Sequence, residues 1–219
     1  DGSFDCKFII HHPISQSITI GNEWLPFYIE PGQTLTIYID WEDLLARSRA
    51  RDRNFPIKNT AYMGPSASLS YLAKDCNSLI YYNYDDIYKS QKELTPNQYK
   101  EHIQPFVSQW KHIADSLIRV YQPSKKAVCQ IENKVKLTTG NALYDFLLNR
   151  SFYAKEDPTN KVLKVQANNA YFSFLNDMPL NDITALIASS DCGIFINRFE
   201  YMDPFKKIYD STTSRGDSI

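Results

Sequence analysis

Arg47, Arg49, Arg51 and Arg53 fall within seven residues of one another. On a helix they form the i, i+4 pairs Arg47/Arg51 and Arg49/Arg53, and Arg47 also reaches Asp43 one turn earlier. The planar guanidinium fork suits carboxylate and phosphate, so the run is a candidate anion or partner-docking patch. Its plainer reading is a solvated helix face. A second cluster, Tyr81-Tyr82-Asn83-Tyr84-Asp85-Asp86-Ile87-Tyr88, is dense in rings of the kind that stack on sugars or peptides, and Tyr82 and Tyr84 are its candidate binding residues. Tyrosines beside acids also pack on helical cores with their hydroxyls in water, which is the plainer reading there.

Other chemistry lacks a recognisable order. Of the four histidines, the adjacent His11 and His12 point to opposite faces of a strand. His102 and His112 lie ten positions apart, roughly 80° off a common helical direction. Neither pair is a chelate, and no histidine or cysteine has the partner spacing of a zinc site. Cys6, Cys76, Cys129 and Cys192 contain no two-residue spacing at which one thiolate attacks and its neighbour resolves. Cys6 shares an alternating face with Phe4, Phe8 and Ile10, and Cys76 steps from Leu69 and Leu72 toward Leu79, so both are expected to be buried free thiols. Gly-rich phosphate loops and a Gly-flanked serine elbow are absent. The pairs Asp85/Asp86 and Asp177/Asp182 read first as turn and cap residues. No catalytic, metal-ligating or cofactor-binding residue is assigned, and no cofactor is expected.

The elements that must position these residues start as strands. Phe4 to His11 alternates, Ser17-Ile18-Thr19-Ile20 is β-branched, and Trp24 to Ile29 and Thr34 to Ile39 flank Glu30-Pro31-Gly32-Gln33. Proline second and glycine third make that a type II turn, expected to close a hairpin. At Asp40 the period changes to about 3.6: Asp40 is an N-cap, Glu42 and Asp43 occupy the first turn, and Trp41, Leu44 and Leu45 lie on one side. A helix is expected from about Ser66 to Tyr82. Another starts at Thr95-Pro96 and runs to Tyr121 with a kink at Pro105. A segment from Ser124 to about Lys136 is expected to break at Thr138-Thr139-Gly140-Asn141 before a helix through Leu143, Phe146 and Leu147. Asp157-Pro158 is expected to start the next, ending near Asp177-Met178-Pro179, and a last helix packs Ile183, Leu186 and Ile187. The predicted class is α+β: a short antiparallel sheet, part of a sandwich, followed by a helical bundle of five to seven helices. The domain reading is a β subdomain over residues 1–40, incomplete by itself, a helical region over 41–210 and a disordered tail over 211–219.

Composition agrees with a helix-rich body. The 219 residues include only 7 glycines, about half the usual share, against 15 tyrosines and 12 phenylalanines. Lys plus Arg, 24, nearly cancels Asp plus Glu, 25, so no global field attracts nucleic acid or an anionic membrane. No apolar stretch approaches the roughly 20 residues that cross a bilayer. The start, Asp1-Gly2-Ser3-Phe4-Asp5, has no secretory signal pattern, and the expectation is that any export signal was removed or lies upstream.

One further signal is a likeness. Pro26-Phe27-Tyr28-Ile29-Glu30-Pro31-Gly32-Gln33-Thr34-Leu35, followed by a strand and Asp40-Trp41-Glu42, resembles the amino-terminal extension of Bacteroidetes TlpA-like thiol-disulfide oxidoreductases. Phe174-Leu175-Asn176-Asp177-Met178-Pro179-Leu180-Asn181-Asp182 and Asn197-Arg198-Phe199-Glu200-Tyr201-Met202 are similar to the helical part before the thioredoxin domain. The resemblance implies an extracytoplasmic, periplasmic or lipid-anchored location and a downstream thioredoxin domain or client protein as partner. The family's catalysis belongs to a Trp-Cys-x-x-Cys segment that this sequence lacks, so the implied role is non-catalytic: positioning or engaging a substrate for a redox domain. A reading from another class is a free-standing cell-envelope module binding peptide or glycan through the tyrosines and arginines.

Overall fold

The computed structural model describes residues 2, 3, 5–50, 58–181 and 189–202. Its class is α+β: two small antiparallel sheets and a helical body. Strands β1 (Ile14–Ile20) and β2 (Glu23–Ile29) form a hairpin across Gly21-Asn22, in register from Ile20 opposite Glu23 to Ile14 opposite Ile29. Strands β3 (Thr36–Ile39) and β4 (Thr60–Met63) form the second sheet. Period-two burial sets the faces: Leu25 and Phe27 of β2 and Tyr62 of β4 meet Leu44 in a small apolar cluster.

The turn at Glu30-Pro31-Gly32-Gln33 has the expected type II features, with the Gln33 amide donating to Glu30 O at 3.2 Å and Gly32 at φ 77°. It does not close a hairpin. The reason lies on the outer edge of β2, which is already served. Pro26 has no amide proton to offer, and its carbonyl accepts the Tyr62 hydroxyl. The Tyr28 amide donates to Ser70 Oγ at 3.1 Å, and that hydroxyl donates back to Tyr28 O at 3.0 Å. The strand after the turn therefore pairs elsewhere, with β4, a strand that follows the first helix and places sheet structure beyond residue 40. The strand expected over Phe4 to His11 is not formed by residues 5–11, which have no ladder partner among the described residues; Cys6, Phe8 and Ile9 are exposed rather than packed.

Eight α-helices are found among the described residues. α1 (Trp41–Ala50) starts as expected, with Asp40 Oδ1 accepting the amides of Glu42 and Asp43 at 2.9 and 3.3 Å. α2 spans Ala67–Leu79 and α3 Tyr84–Glu93, the latter capped by Asn83. α4 (Pro96–His102) carries a capping box between Thr95 and Gln98. The missing donor at Pro105 separates it from α5 (Gln104–Tyr121), which buries Val107, Trp110, Ala114 and Leu117 along one stripe. α7 is Arg150–Glu156 and α8 is Ser190–Glu200.

α6 (Lys125–Leu148) runs unbroken through the centre of the larger core, so Thr138-Thr139-Gly140-Asn141 does not interrupt it. Those residues suit a close crossing instead: a Cβ on Gly140 would lie 2.8 Å from Phe195 Cε2 of α8, and Asn141 Nδ2 donates to Asp191 O at 3.2 Å. Tyr99 stacks on Phe146 with ring centroids 4.0 Å apart, and Tyr144 meets Phe174 and Phe195 edgewise or tilted. Each buried ring of this kind stabilises the fold by about 1.5–3 kcal/mol. The helix expected from Asp157-Pro158 is absent. Asp157 Oδ1 accepts the amide and hydroxyl of Thr159 at 3.2 and 2.6 Å, closing a turn. Two 3₁₀ segments follow, Val162–Lys164 and Tyr171–Asp177. The helix expected through Ile183, Leu186 and Ile187 and the tail over 211–219 lie outside the described residues.

Candidate functional site

The arginine run is not assembled into a patch by the described residues. Arg47 Nε pairs with Glu23 Oε2 of β2 at 2.8 Å, both side chains largely buried, so this cation ties α1 to the hairpin. Asp43, its expected partner, instead accepts the Asn59 amide at 2.7 Å. Arg49 is exposed in the last turn of α1. Arg51 and Arg53 lie outside the described residues.

The tyrosine cluster is assembled. Asn83 Oδ1 accepts the Asp85 amide at 2.9 Å and starts α3, which fixes Tyr82 just before the helix and Tyr84 at its first position. The Tyr82 hydroxyl donates to Asp145 Oδ2 at 2.6 Å and lies 3.2 Å from the Tyr84 hydroxyl. Asp145 belongs to α6 and is buried; its other oxygen accepts Arg198 Nε of α8. Arg198 Nη1 donates to Asn197 Oδ1 at 2.8 Å. The segment leading into α3 and helix α8 thus meet at one carboxylate of α6. Burial pushes the Tyr82 hydroxyl far above its ordinary value, and the hydrogen bond and charge of Asp145 push it further. Burial works against the Arg198 guanidinium, but the facing Asp145 outweighs it and holds the arginine's pKa above its ordinary value. Tyr82 is therefore a protonated donor and Arg198 a fixed cation; neither is a general base near neutrality.

On this base stand exposed rings. Tyr81, Tyr84 and Tyr88 are each about half exposed; the Tyr82 and Tyr84 centroids are 5.0 Å apart, and those of Tyr84 and Tyr88 6.2 Å apart. Asp86, one of the two acids in the cluster, accepts from or faces His102 Nε2 at 3.1 Å. The arrangement can stack and hydrogen-bond, and it offers no nucleophile.

The buried thiols Cys76 and Cys192 do not supply one either. Burial pushes the Cys76 thiol up to about 12, opposed in part by Lys134. Cys192 is buried and raised for the same reason. Cys129 accepts Asn133 Nδ2 at 3.6 Å. The expectation of burial holds for Cys76 and fails for Cys6, which is exposed because its segment joins no sheet. Among the described residues no group of three His, Cys, Asp or Glu side chains is placed to hold a metal ion, and no helix is long and apolar enough to cross a membrane.

Sequence reasoning found Tyr82 and Tyr84 but missed Asp145 and Arg198. Asp145 did leave a signal: it is the one charged residue in the apolar run from Ala142 to Leu148. Arg198 left none, because its partner is 53 positions away. Compared with protein-family models, with curated proteins and with solved structures, the chain matches none.

Proposed function

We propose that this chain is a non-catalytic accessory region of an extracytoplasmic TlpA-like protein, of the Bacteroidetes lipoprotein or periplasmic kind, positioning or engaging a substrate or partner for a thioredoxin-like domain. The state of the thiols supports the non-catalytic role. Dithiol exchange needs an accessible thiolate with a resolving neighbour, whereas Cys76 and Cys192 are buried thiols with raised pKa values. The family reading rests on the likeness of the Pro26 to Leu35, Phe174 to Asp182 and Asn197 to Met202 segments. The test is the intact mass and peptide map of the native polypeptide, captured from its source with an antibody against this chain. A mass well above 25.4 kDa with a thioredoxin-like segment is expected. A polypeptide of about that mass acting alone, or disulfide reductase activity in this chain by itself, overturns the proposal.

The second reading, a free-standing module for peptide or glycan, is favoured by the exposed Tyr81, Tyr84 and Tyr88 rings on a hydrogen-bonded base. It requires saturable ligand binding that is lost in Tyr84→Ala and Tyr88→Ala. Retention of binding in both variants removes the tyrosines as its platform.

A further inference from the structure

A cleft of about 710 Å³ opens on the side of the helical body formed by α4, α5, α6 and the second 3₁₀ segment. Its volume lies in the range of ligand-binding clefts. Gln104, Val107 and Lys111 recur at three- and four-residue steps on α5, and Val135, Thr139 and Leu143 at four-residue steps on α6, so each helix turns one continuous face to it. The third wall is the segment ending at Asp177-Met178-Pro179. Lys100 of α4 fastens that wall, its Nζ donating to Ser173 Oγ at 2.7 Å and to Ala170 O.

Charge is the unusual feature. Lys100, Lys111 and Lys136, from three different helices, border the cleft against one acid, Asp177. None of the three lysines has a carboxylate within ion-pair distance among the described residues, although the chain as a whole is near neutral. The floor is apolar, with Val107, Val135, Leu143 and Phe174 buried. Each wall also carries a polar side chain: Gln104, whose Nε2 donates to Lys100 O at 2.9 Å, Thr139, whose Oγ1 donates to Val135 O at 2.8 Å, and Asn176.

We infer that this cleft binds a short extended acidic peptide, with alternate side chains on the apolar floor and carboxylates toward the lysines. The length fits: the α5 wall from Gln104 to Lys111 rises about 10 Å, the span of about three extended residues. The three lysines bordering the cleft select an anionic occupant, and the side-chain amides of Gln104 and Asn176 favour a peptide over an anionic lipid tail, because a peptide backbone can pair with an amide whereas an acyl chain cannot. The inference needs only the cleft and holds independently of the family reading.

The test is fluorescence anisotropy of a fluorescein-labelled hexapeptide of alternating aspartate and leucine, titrated with the whole chain. Saturable binding that weakens between about 50 and about 300 mM salt is expected, with no binding of the lysine–leucine counterpart. Lys111→Glu combined with Lys136→Glu changes two exposed residues and is expected to weaken binding about tenfold or more. Lys126→Glu, also exposed on α6 but outside the cleft, is expected to leave it within about twofold; circular dichroism confirms the fold of each variant. Absence of saturation at about 1 mM protein, or equal losses in the cleft and Lys126 variants, overturns the assignment. Uptake of dodecanoate without peptide binding overturns it in favour of an anionic amphiphile.

Discussion

Arg150 is a buried cation held by four carbonyls and an aromatic ring. Its Nη1 donates to Gln91 O and Leu94 O at 2.7 Å, its Nη2 to Val162 O and Val165 O at 2.6 and 3.4 Å, and its guanidinium lies over the Phe146 ring. Burial lowers its pKa from a value so high that it stays charged at any physiological pH. The fork joins the end of α3, the residue after it and the first 3₁₀ segment, so its loss strands several carbonyls at once. Arg150→Met is expected to cost about 3 kcal/mol, and Arg150→Lys to recover little of that, since one ammonium cannot span the set; urea unfolding of the purified variants measures both. Tyr82→Phe strips one partner from buried Asp145 and is expected to cost about 1–3 kcal/mol, whereas Tyr84→Phe, at a half-exposed ring, is expected to cost less than about 0.5 kcal/mol. Equal losses in those two variants would mean that the Tyr82–Asp145 bond carries no special weight. The rings of this site were visible in the sequence as local density. Its carboxylate and guanidinium were not, because Tyr82 and Asp145 are 63 positions apart and only packing unites them.

Elements were legible where a local signal had no competitor. The caps at Asp40 and Thr95 bond as their residue types require; the expected kink at Pro105 is instead a break between α4 and α5, and α3, capped by Asn83, was not expected. Misreading occurred where a residue with loop character serves a tertiary contact. Gly140 is such a residue: helix propensity disfavours it by about 1 kcal/mol relative to alanine, yet the approach of Phe195 and Met178 leaves no room for a Cβ. Overpacking there costs about 1–3 kcal/mol, so Gly140→Ala is expected to destabilise the chain by about 1 kcal/mol net despite its better propensity. Adding Phe195→Leu, which withdraws the ring edge, is expected to reduce the penalty of the second change below that of Phe195→Leu alone; a thermal-melt double-mutant cycle reads the coupling. Gly140→Ala melting higher than the native protein would mean that α8 moves aside at little cost. The strand β4 escaped detection for a related reason: four residues, Thr60 to Met63, make too short a run for periodicity to declare itself.

At the scale of the molecule, aromatic burial makes the fold sensitive to alkali. Tyr99, Tyr144 and Tyr171 are almost wholly buried, and burial raises each hydroxyl above its ordinary value of 10.0. Tyr121 is pushed up to about 12 by burial and by its bond to Asp75, and Cys76 rises from 9.0 to about 12. A group whose pKa is raised by folding holds its proton more tightly in the native state, so its contribution is complete below its unfolded value and is lost as pH rises through the folded one. Stability is therefore expected to hold to about pH 9 and fall steeply between about pH 9 and 12. Tyrosinate absorbance should rise in a cooperative step that coincides with loss of the far-ultraviolet dichroism. Gradual ionisation of most tyrosines near pH 10 with the dichroism intact would contradict the packing described. The sequence already indicated a helical body rich in rings; what it did not reveal was the pairing of strands, decided by Ser70, Tyr62 and Pro26 occupying one side of β2. That occupation closes one side of the hairpin to growth. A further strand, whether from elsewhere in a longer polypeptide or from another molecule, finds no ladder to extend at Pro26 and Tyr28, and on the opposite edge Ser15 of β1 already meets Ser189 in a parallel bridge, so each edge of this small sheet carries a contact that an incoming strand would have to displace.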